Sequence, residues 1–414
     1  MRIVLLNDDF PPNARGGAGV VAFNMARGLK DAGHQVFVIT TVRAAEAAGE
    51  TTIDGIPVFR LQSAYPERWR AYVSLRNPQT VGRVERILDD LKPDIVHAHN
   101  LHQYLSYHCL KLAKRAGAKV FLTAHDALLF HYGKLHEFVD ADDPACLPHP
   151  DYRISAWRQL RAYRSYYNPF RNFFIRRRLK YLDGVFAVSQ ALKDALEQNG
   201  IVGAEVIHNG IDPDFWRSHK HDAAAFVGAH GLRGRKVVLC SGRMNELKGL
   251  GHLIEAMRIV KRSVPEAILV VGGGNDAGRR PDGNIGDAVF TDWMTPEAMR
   301  DAIHASAVVA IPSLYLDPFP TAALEAMACG KPVIATCFGG AKEAVVDGLT
   351  GTIVNPHDIK TMADKIVELL KDPSLAARLG TAGLARVRSE FSLQRQVLTT
   401  LRRYQDASDG NTAG

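Results

Sequence analysis

Short apolar runs bounded by polar, turn-forming residues recur along the chain and alternate with stretches in which apolar residues return every three or four positions. In the first half the runs at 2–6, 35–40, 95–98, 119–123, 184–188 and 204–207 read as buried strands, because a strand covered on both faces is apolar throughout rather than alternating. Between them Val20, Phe23 and Leu29 before Gly33, and Leu192 with Leu196 before Gly200, mark helical stripes with glycine as the C-terminal stop. The scheme repeats from Lys236, with strands at 237–241, 268–271, 308–311 and 333–335, each followed by a loop and a helix. Strand followed by helix, repeated, predicts parallel sheets with helices on both faces.

The pattern therefore predicts an α/β chain of two Rossmann-like domains, which also suits 414 residues better than one core. His208-Asn209-Gly210-Ile211-Asp212-Pro213 is rich in turn formers and separates the halves. The expected domains are 1–208, with an insert at about 126–181, and 209–390. A helix at 391–405 follows and is expected to pack back on the first domain, with a flexible tail at 406–414. No short-period repeat appears, which excludes a solenoid.

Composition narrows this little, with 46% hydrophobic and 23% charged residues, the range of folded globular chains. Cys109, Cys146, Cys240, Cys329 and Cys337 include no Cys-x-x-Cys pair, which argues against a disulfide framework or a thiolate zinc site and favours a reducing cytoplasm. The N-terminal apolar run meets Asn7, Asp8 and Asp9 too early for a signal peptide, and no apolar run is long enough to span a bilayer. The expectation is a soluble cytoplasmic protein, or one peripheral at the inner membrane face. A net charge of +7 suits nucleic acid, an anionic membrane or phosphate-bearing substrates. No nucleic-acid-binding module accompanies it.

In doubly wound sheets ligands sit beyond the C-terminal ends of the strands, so the loops there carry the chemistry. The first holds Gly16-Gly17-Ala18-Gly19 at the start of a helix, where free backbone N–H groups suit an anion; a plain turn of small residues is the other reading. As a dinucleotide fingerprint it is delayed by Pro11 and Pro12, and the second strand ends in Thr40-Thr41 rather than an acid, which argues against NAD. The second loop offers Arg243 and Lys248, a planar fork and a point charge suited to a diphosphate, or else a solvated basic loop. The third runs from Pro312 through Asp317 and Pro320 into a helix beginning near Thr321, with Glu325 about one turn in. Its carboxylates suit sugar or ribose hydroxyls, and the N–H groups of Thr321, Ala322 and Ala323 suit a phosphate. Glu325 also reads as a structural salt-bridge partner.

These blocks resemble a retaining glycosyltransferase of family four over nearly the whole chain. The motifs are Gly16-Gly17, Asp94-Ile95-Val96-His97-Ala98-His99, Val188-Ser189, and Ile207-His208-Asn209-Gly210-Ile211-Asp212. Gly242-Arg243 with Lys248-Gly249 follows, then Glu325-Ala326-Met327-Ala328-Cys329-Gly330-Lys331-Pro332 before Gly339-Gly340. The resemblance implies the GT-B fold, two Rossmann-like domains facing a central cleft. It also implies Arg243 and Lys248 on the donor diphosphate, Glu325 on the nucleotide ribose, Gly17 near the phosphates and His125 beside the donor sugar. Asp317 stands where the family usually has glutamate, one methylene longer, and Pro318-Phe319-Pro320 replaces the commoner Phe-Gly. From the residues alone the first reading of His125 is a satisfied histidine beneath the strand ends, which the resemblance reverses, and Asp126 either orients its ring or caps the next turn.

His97, His99 and His102 invite a metal, as do Asn7-Asp8-Asp9 and Asp140-Ala141-Asp142-Asp143, but no ligand set is complete, so no metal and no cofactor is expected. The nucleoside diphosphate sugar is the co-substrate. The implied reaction moves a hexose-type sugar to an acceptor hydroxyl with retention, the acceptor being a sugar, a glycan or a lipid-linked precursor. A nucleotide-sugar epimerase, a phosphorylase or a nonenzymatic nucleotide-sugar sensor are the alternatives. The segment 153–180 interleaves Arg158, Arg161, Arg164, Arg176, Arg177 and Arg178 with Trp157, Tyr166, Phe170, Phe173 and Phe174. It reads either as a lid with solvated arginines or as a contact for a phosphate-bearing or lipid-linked acceptor at a membrane surface.

Overall fold

The structure is a computed structural model that describes residues 1–12, 14, 16–143, 146–218, 220, 222–242, 246–273 and 288–410. The chain divides into two compact α/β units: one from Met1–Leu135, Asp151–Asn209 and the segment from Leu393 onward, the other from His136–Pro150 and Gly210–Ser392.

The first unit is built on eight strands: β1 (Arg2–Leu6), β2 (Gln35–Val42), β3 (Gly49–Ile53), β4 (Ile56–Gln62), β5 (Ile95–Ala98), β6 (Lys119–Ala124), β7 (Gly184–Ala187) and β8 (Ala204–Val206). Their order is β3-β4-β2-β1-β5-β6-β7-β8. All neighbours are parallel except β3 and β4, a hairpin that the apolar-run reading did not anticipate. Ile3 and Leu5 of β1, Ile95, Phe121 and Phe186 are all buried beneath the helix Gly17–Asp31 and the helix Leu393–Ser408. The latter sets Val397, Leu401 and Tyr404 into this core and runs to Ser408, past the expected end at 405. Leu6 pairs with Ala98 and Ala98 with Leu122, so the residues leaving β1, β5 and β6 emerge along one edge of the sheet.

The second unit carries β9 (Lys236–Ser241), β10 (Ala267–Gly272), β11 (Ala288–Phe290), β12 (Val308–Ile311), β13 (Val333–Thr336) and β14 (Thr352–Val354), all parallel, in the order β11-β10-β9-β12-β13-β14. β9 is flanked by β10 on one side and β12 on the other, so the strand order reverses there. The loops after β9 and β12 thus meet at the switch point, where such sheets take ligands.

Two sequence expectations need correction. Residues 136–150 fall within the expected first domain and its insert, yet they pack with the second unit. Asn355 Nδ2 donates to the Asp143 carbonyl at 3.1 Å, and the Phe138 and Phe338 rings meet edge to face at 6.0 Å. The cysteines are not all free either: Cys146 and Cys337 form a disulfide across 191 residues of sequence, a pairing that no local spacing announces. Cys109, Cys240 and Cys329 are free and buried. Among the described residues no helix is long and apolar enough to cross a membrane.

Candidate active site

In the second unit the loops after β9 and β12 are stitched together. Leu314 N donates to the Leu247 carbonyl at 2.8 Å. Gly249 turns the chain with φ of 73° and lies so close to Pro312 that a Cβ there would fall 1.9 Å from its carbonyl oxygen. Lys248 ends the turn Glu246–Lys248, and its ammonium meets Asp317 Oδ2 at 2.8 Å. Ser313 Oγ donates to the same oxygen at 2.7 Å, and the Tyr315 ring lies under the ammonium with its centroid 5.3 Å away. Burial pulls the lysine's pKa down, but the Asp317 carboxylate and Tyr315 outweigh it and hold the group charged, above the ordinary lysine range.

Asp317 is held from behind as well. Its backbone pairs with Gly339 in an isolated parallel bridge, and Gly340 N donates to its carbonyl at 2.8 Å. Gly339 has φ of 74°, and a Cβ there would stand 2.3 Å from the Asp317 carbonyl oxygen, so no other residue fits without moving that loop. The Gly339-Gly340 pair is thus a seat for Asp317. The sequence placed Lys248 and Asp317 in separate roles; the fold makes them one ion pair.

The helix Thr321–Ala328 begins where the sequence placed it, with Pro320 before its first turn and no side chain capping its N-terminus. Ala323 N donates to the Pro320 carbonyl at 3.1 Å, which leaves the N–H groups of Thr321 and Ala322 available to an anion. Glu325 stands one turn in, and among the described residues it forms no ion pair, which removes the salt-bridge reading. Burial pushes its carboxyl up to about 7, against the opposing bond to Thr321. Arg243 lies outside the described residues.

In the first unit Gly16 precedes the helix Gly17–Asp31, again without a side-chain cap, and Gly17 is exposed with open space where a Cβ would stand. His125 follows β6, and its Nε2 lies 2.8 Å from His99 Nδ1, the two rings stacked at 5.1 Å. His97 stacks on His99 at 4.6 Å and uses both nitrogens, one on Tyr404 Oη at 2.5 Å and one on Thr123 Oγ1 at 2.8 Å. Burial lowers all three: His97 to about 3, His125 to about 4, and His99 well below its ordinary value, so they are neutral near pH 7.

The tautomers follow from what each nitrogen meets. His99 Nε2 is buried without a partner, and a bare acceptor costs less there than an orphaned N–H. His99 Nδ1–H therefore donates to His125 Nε2, and His125 carries its own proton on Nδ1 as a donor. Asp126 Oδ1 accepts from Leu128 N at 2.8 Å, so it caps the next turn, and its other oxygen lies 3.5 Å from His102 Nε2. Asp8 likewise anchors structure: its carboxylate accepts from the N–H groups of Gln103, Tyr104 and Leu105 at 2.7–2.8 Å. Among the described residues no group of three His, Cys, Asp or Glu side chains is arranged to hold a metal ion.

In the basic and aromatic segment Trp157, Phe170 and Phe173 are 74%, 67% and 62% exposed. Arg176 spends one N–H on the Asn199 carbonyl, just past the helix Gln190–Gln198. Motif reading gave Ser313, Tyr315 and Gly339-Gly340 no role in the site and offered His99 only to a metal.

A family model for glycosyltransferase family 4 matches residues 15–215, and one for glycosyl transferases group 1 matches residues 226–386. Glycogen synthase of Mycobacterium tuberculosis is 24% identical over 99% of this chain and 96% of its own. Sucrose-phosphate synthase of Thermosynechococcus elongatus superposes with a TM-score of 0.77 at 21% identity, covering 99% of both chains. HepE of Anabaena, solved in complex with UDP-glucose, gives 0.68 at 19% identity over 97% of this chain and 99% of its own. With both units matched in sequence and the whole chain matched in fold, the protein belongs to the family-four type of glycosyltransferases, enzymes that transfer sugar, on two Rossmann-like domains of the GT-B type.

Proposed function

We propose that this enzyme takes a hexose-type sugar from a nucleoside diphosphate sugar and delivers it to an acceptor hydroxyl with retention of configuration, without a metal ion or other cofactor. The observation that carries this reading is the uncapped N-terminus of the helix Thr321–Ala328, with Lys248 held charged in the adjoining loop and Glu325 one turn in. The diphosphate lies against the N–H groups after Pro320 and against Lys248 and Arg243, and the ribose hydroxyls bond Glu325. Charge builds on the leaving diphosphate as the glycosidic bond breaks, so fixed cations and N–H dipoles stabilise the transition state more than the ground state. They do for a diphosphate what a divalent ion does elsewhere.

Gly16 and Gly17 give the phosphates close backbone approach, and Asp317 and His125 position the donor sugar. UDP-glucose is the first donor to try, since HepE was solved with it. We place the reaction in the cytoplasm, with peripheral contact to the inner membrane face through the exposed aromatics and arginines of 153–180. Loss of binding to anionic vesicles on replacing Arg176, Arg177 and Arg178 together supports that contact; indifference to anionic lipid removes it. The central test is a thermal-shift panel of UDP, GDP and ADP with their sugars, followed by mass-spectrometric detection of donor hydrolysis. Stabilisation by one nucleotide family is expected, and a panel without any shift sinks the reading.

A further inference from the structure

At the C-terminal edge of the first sheet two arginines share one tyrosine ring and a third, Arg43, stands over another. Arg43 directly follows β2, Arg70 opens the short helix Arg70–Val73 beyond β4, and Arg171 opens the helix Arg171–Leu179. Arg171 reaches back to the turn after β6, donating to the Leu128 carbonyl and to Asn172 Oδ1. Each guanidinium lies over a tyrosine rather than beside a carboxylate: Arg43 over Tyr104 at 5.2 Å, Arg70 over Tyr132 at 4.2 Å, and Arg171 toward the same Tyr132 ring at 5.9 Å. Among the described residues none of the three forms an ion pair.

The nearby acids are already spent. Asp126 caps its turn and faces His102, and all three backbone donors around Asp8 are satisfied by its carboxylate. Arg171 is 1% exposed and its Nε has no partner. A guanidinium buried that deeply is ordinarily paired, because an isolated charge out of water costs several kcal/mol, on the order of the penalty known for broken ion pairs. Here burial and the second cation, Arg70, both press on it. Burial also keeps His102 neutral, its pKa lowered to about 4, so the histidine adds nothing to the charge. Arg70 Nη2 donates to the Tyr132 carbonyl at 2.8 Å, so what remains is a fixed positive potential at the ligand-binding edge of the sheet, with the other N–H groups of Arg70 facing an anion's oxygens.

We propose that this edge binds an anionic group of the acceptor, a phosphate ester, with Arg70 in contact and Arg171 beneath it as the buried source of charge. The proposal rests on the glycosyltransferase reading above, and it specifies the acceptor class which that reading leaves open. The phosphate is carried either by a soluble sugar phosphate or by a phospholipid headgroup.

The test uses the whole chain at constant ionic strength, with inorganic phosphate, glucose 6-phosphate and glucose titrated by calorimetry, and phosphatidylglycerol against phosphatidylcholine vesicles by sedimentation. Arg70→Gln is the variant, because the side chain is only partly buried and its loss leaves no buried carboxylate exposed. If the source is soluble, glucose 6-phosphate binds at least tenfold tighter than glucose and Arg70→Gln removes that preference. If it is lipid, phosphatidylglycerol vesicles capture the protein and Arg70→Gln releases it. Equal behaviour of wild type and Arg70→Gln toward all of these probes overturns the proposal. UDP titrated into the wild type reports separately on the donor reading, so the two can fail independently.

Discussion

Lys248 and Asp317 form a 2.8 Å ion pair across two loops, and Asp317 is 4% exposed. Two groups assigned separately to diphosphate and sugar thus hold each other in place, and neither can be removed without leaving a charge behind. Removing one partner of a buried pair costs about 3–5 kcal/mol, whereas replacing both with neutral groups costs far less. Lys248→Met and Asp317→Asn should each lower the urea midpoint strongly and turnover by about 100-fold, the scale of losing a fixed transition-state donor. The double variant should regain most of the stability and none of the turnover. Additive losses in the double-mutant cycle would show that the pair is not coupled.

Glu325 gives a pH dependence with a defined sign. Its carboxyl, raised to about 7, is mostly protonated at pH 6 and mostly ionised at pH 8. Only the ionised form accepts bonds from both ribose hydroxyls, so UDP affinity should rise by up to about tenfold between these values. UDP titrates too, and Glu325→Gln is the control: its affinity should follow only the nucleotide's own change. Stability runs the other way, because the unfolded chain loses this proton near the ordinary glutamate value while the folded one keeps it. Unfolding free energy should therefore fall as pH rises from about 4.5 to 7, and Glu325→Gln should remove that component. Calorimetry at pH 6 and 8 decides the first part; matching profiles in wild type and variant reject it.

The bond from His99 to His125 makes His99 a positioning residue. Without it His125 loses the donor that fixes its tautomer, and the ring is free to present a lone pair where it now presents Nδ1–H. His99→Ala should lower kcat by about 10–100-fold with a smaller change in KM, since misplacing a group by 1 Å is enough for that. His99→Asn places an amide N–H near the lost Nδ1–H and should recover most of the loss. Failure of Asn to do better than Ala would reduce His99 to a packing role.

Strands that are short, apolar and central, such as β1, β5 and β9, were legible because burial on both faces leaves room for a polar residue only where it finds a partner, as His97 does in β5. The edge hairpin was not: β3 is Gly-Glu-Thr-Thr-Ile, mostly exposed, and carries no apolar run. Its signal lay instead in Asp54-Gly55 between Ile53 and Ile56, a two-residue turn in which both residues have positive φ. The candidate site was legible where a position lies within one element, as for Glu325 one turn into its helix. It was illegible where the partner is distant in sequence: nothing local ties Lys248 to Asp317, Gly339 to Asp317, or His99 to His125.

The disulfide is the most remote of these pairings and the one that chemistry can open. Cys337 directly follows β13 and leads into Phe338 and the Gly339-Gly340 seat of Asp317, so Cys146 ties the segment 136–150 to the strand end that positions that carboxylate. Cross-linking so distant a pair chiefly restricts the unfolded chain, and its loss typically costs about 2–4 kcal/mol. Denatured without reductant, the protein should expose the three free thiols of Cys109, Cys240 and Cys329 to alkylation; after reduction all five cysteines should react. Dithiothreitol should also lower the unfolding midpoint, and Cys146→Ser should match the reduced wild type with no further response to reductant. A reducing compartment would keep the bond open, so the number of thiols alkylated in freshly lysed cells tells which state the enzyme works in. Five reactive thiols in protein purified and denatured without reductant would mean that the bond does not form.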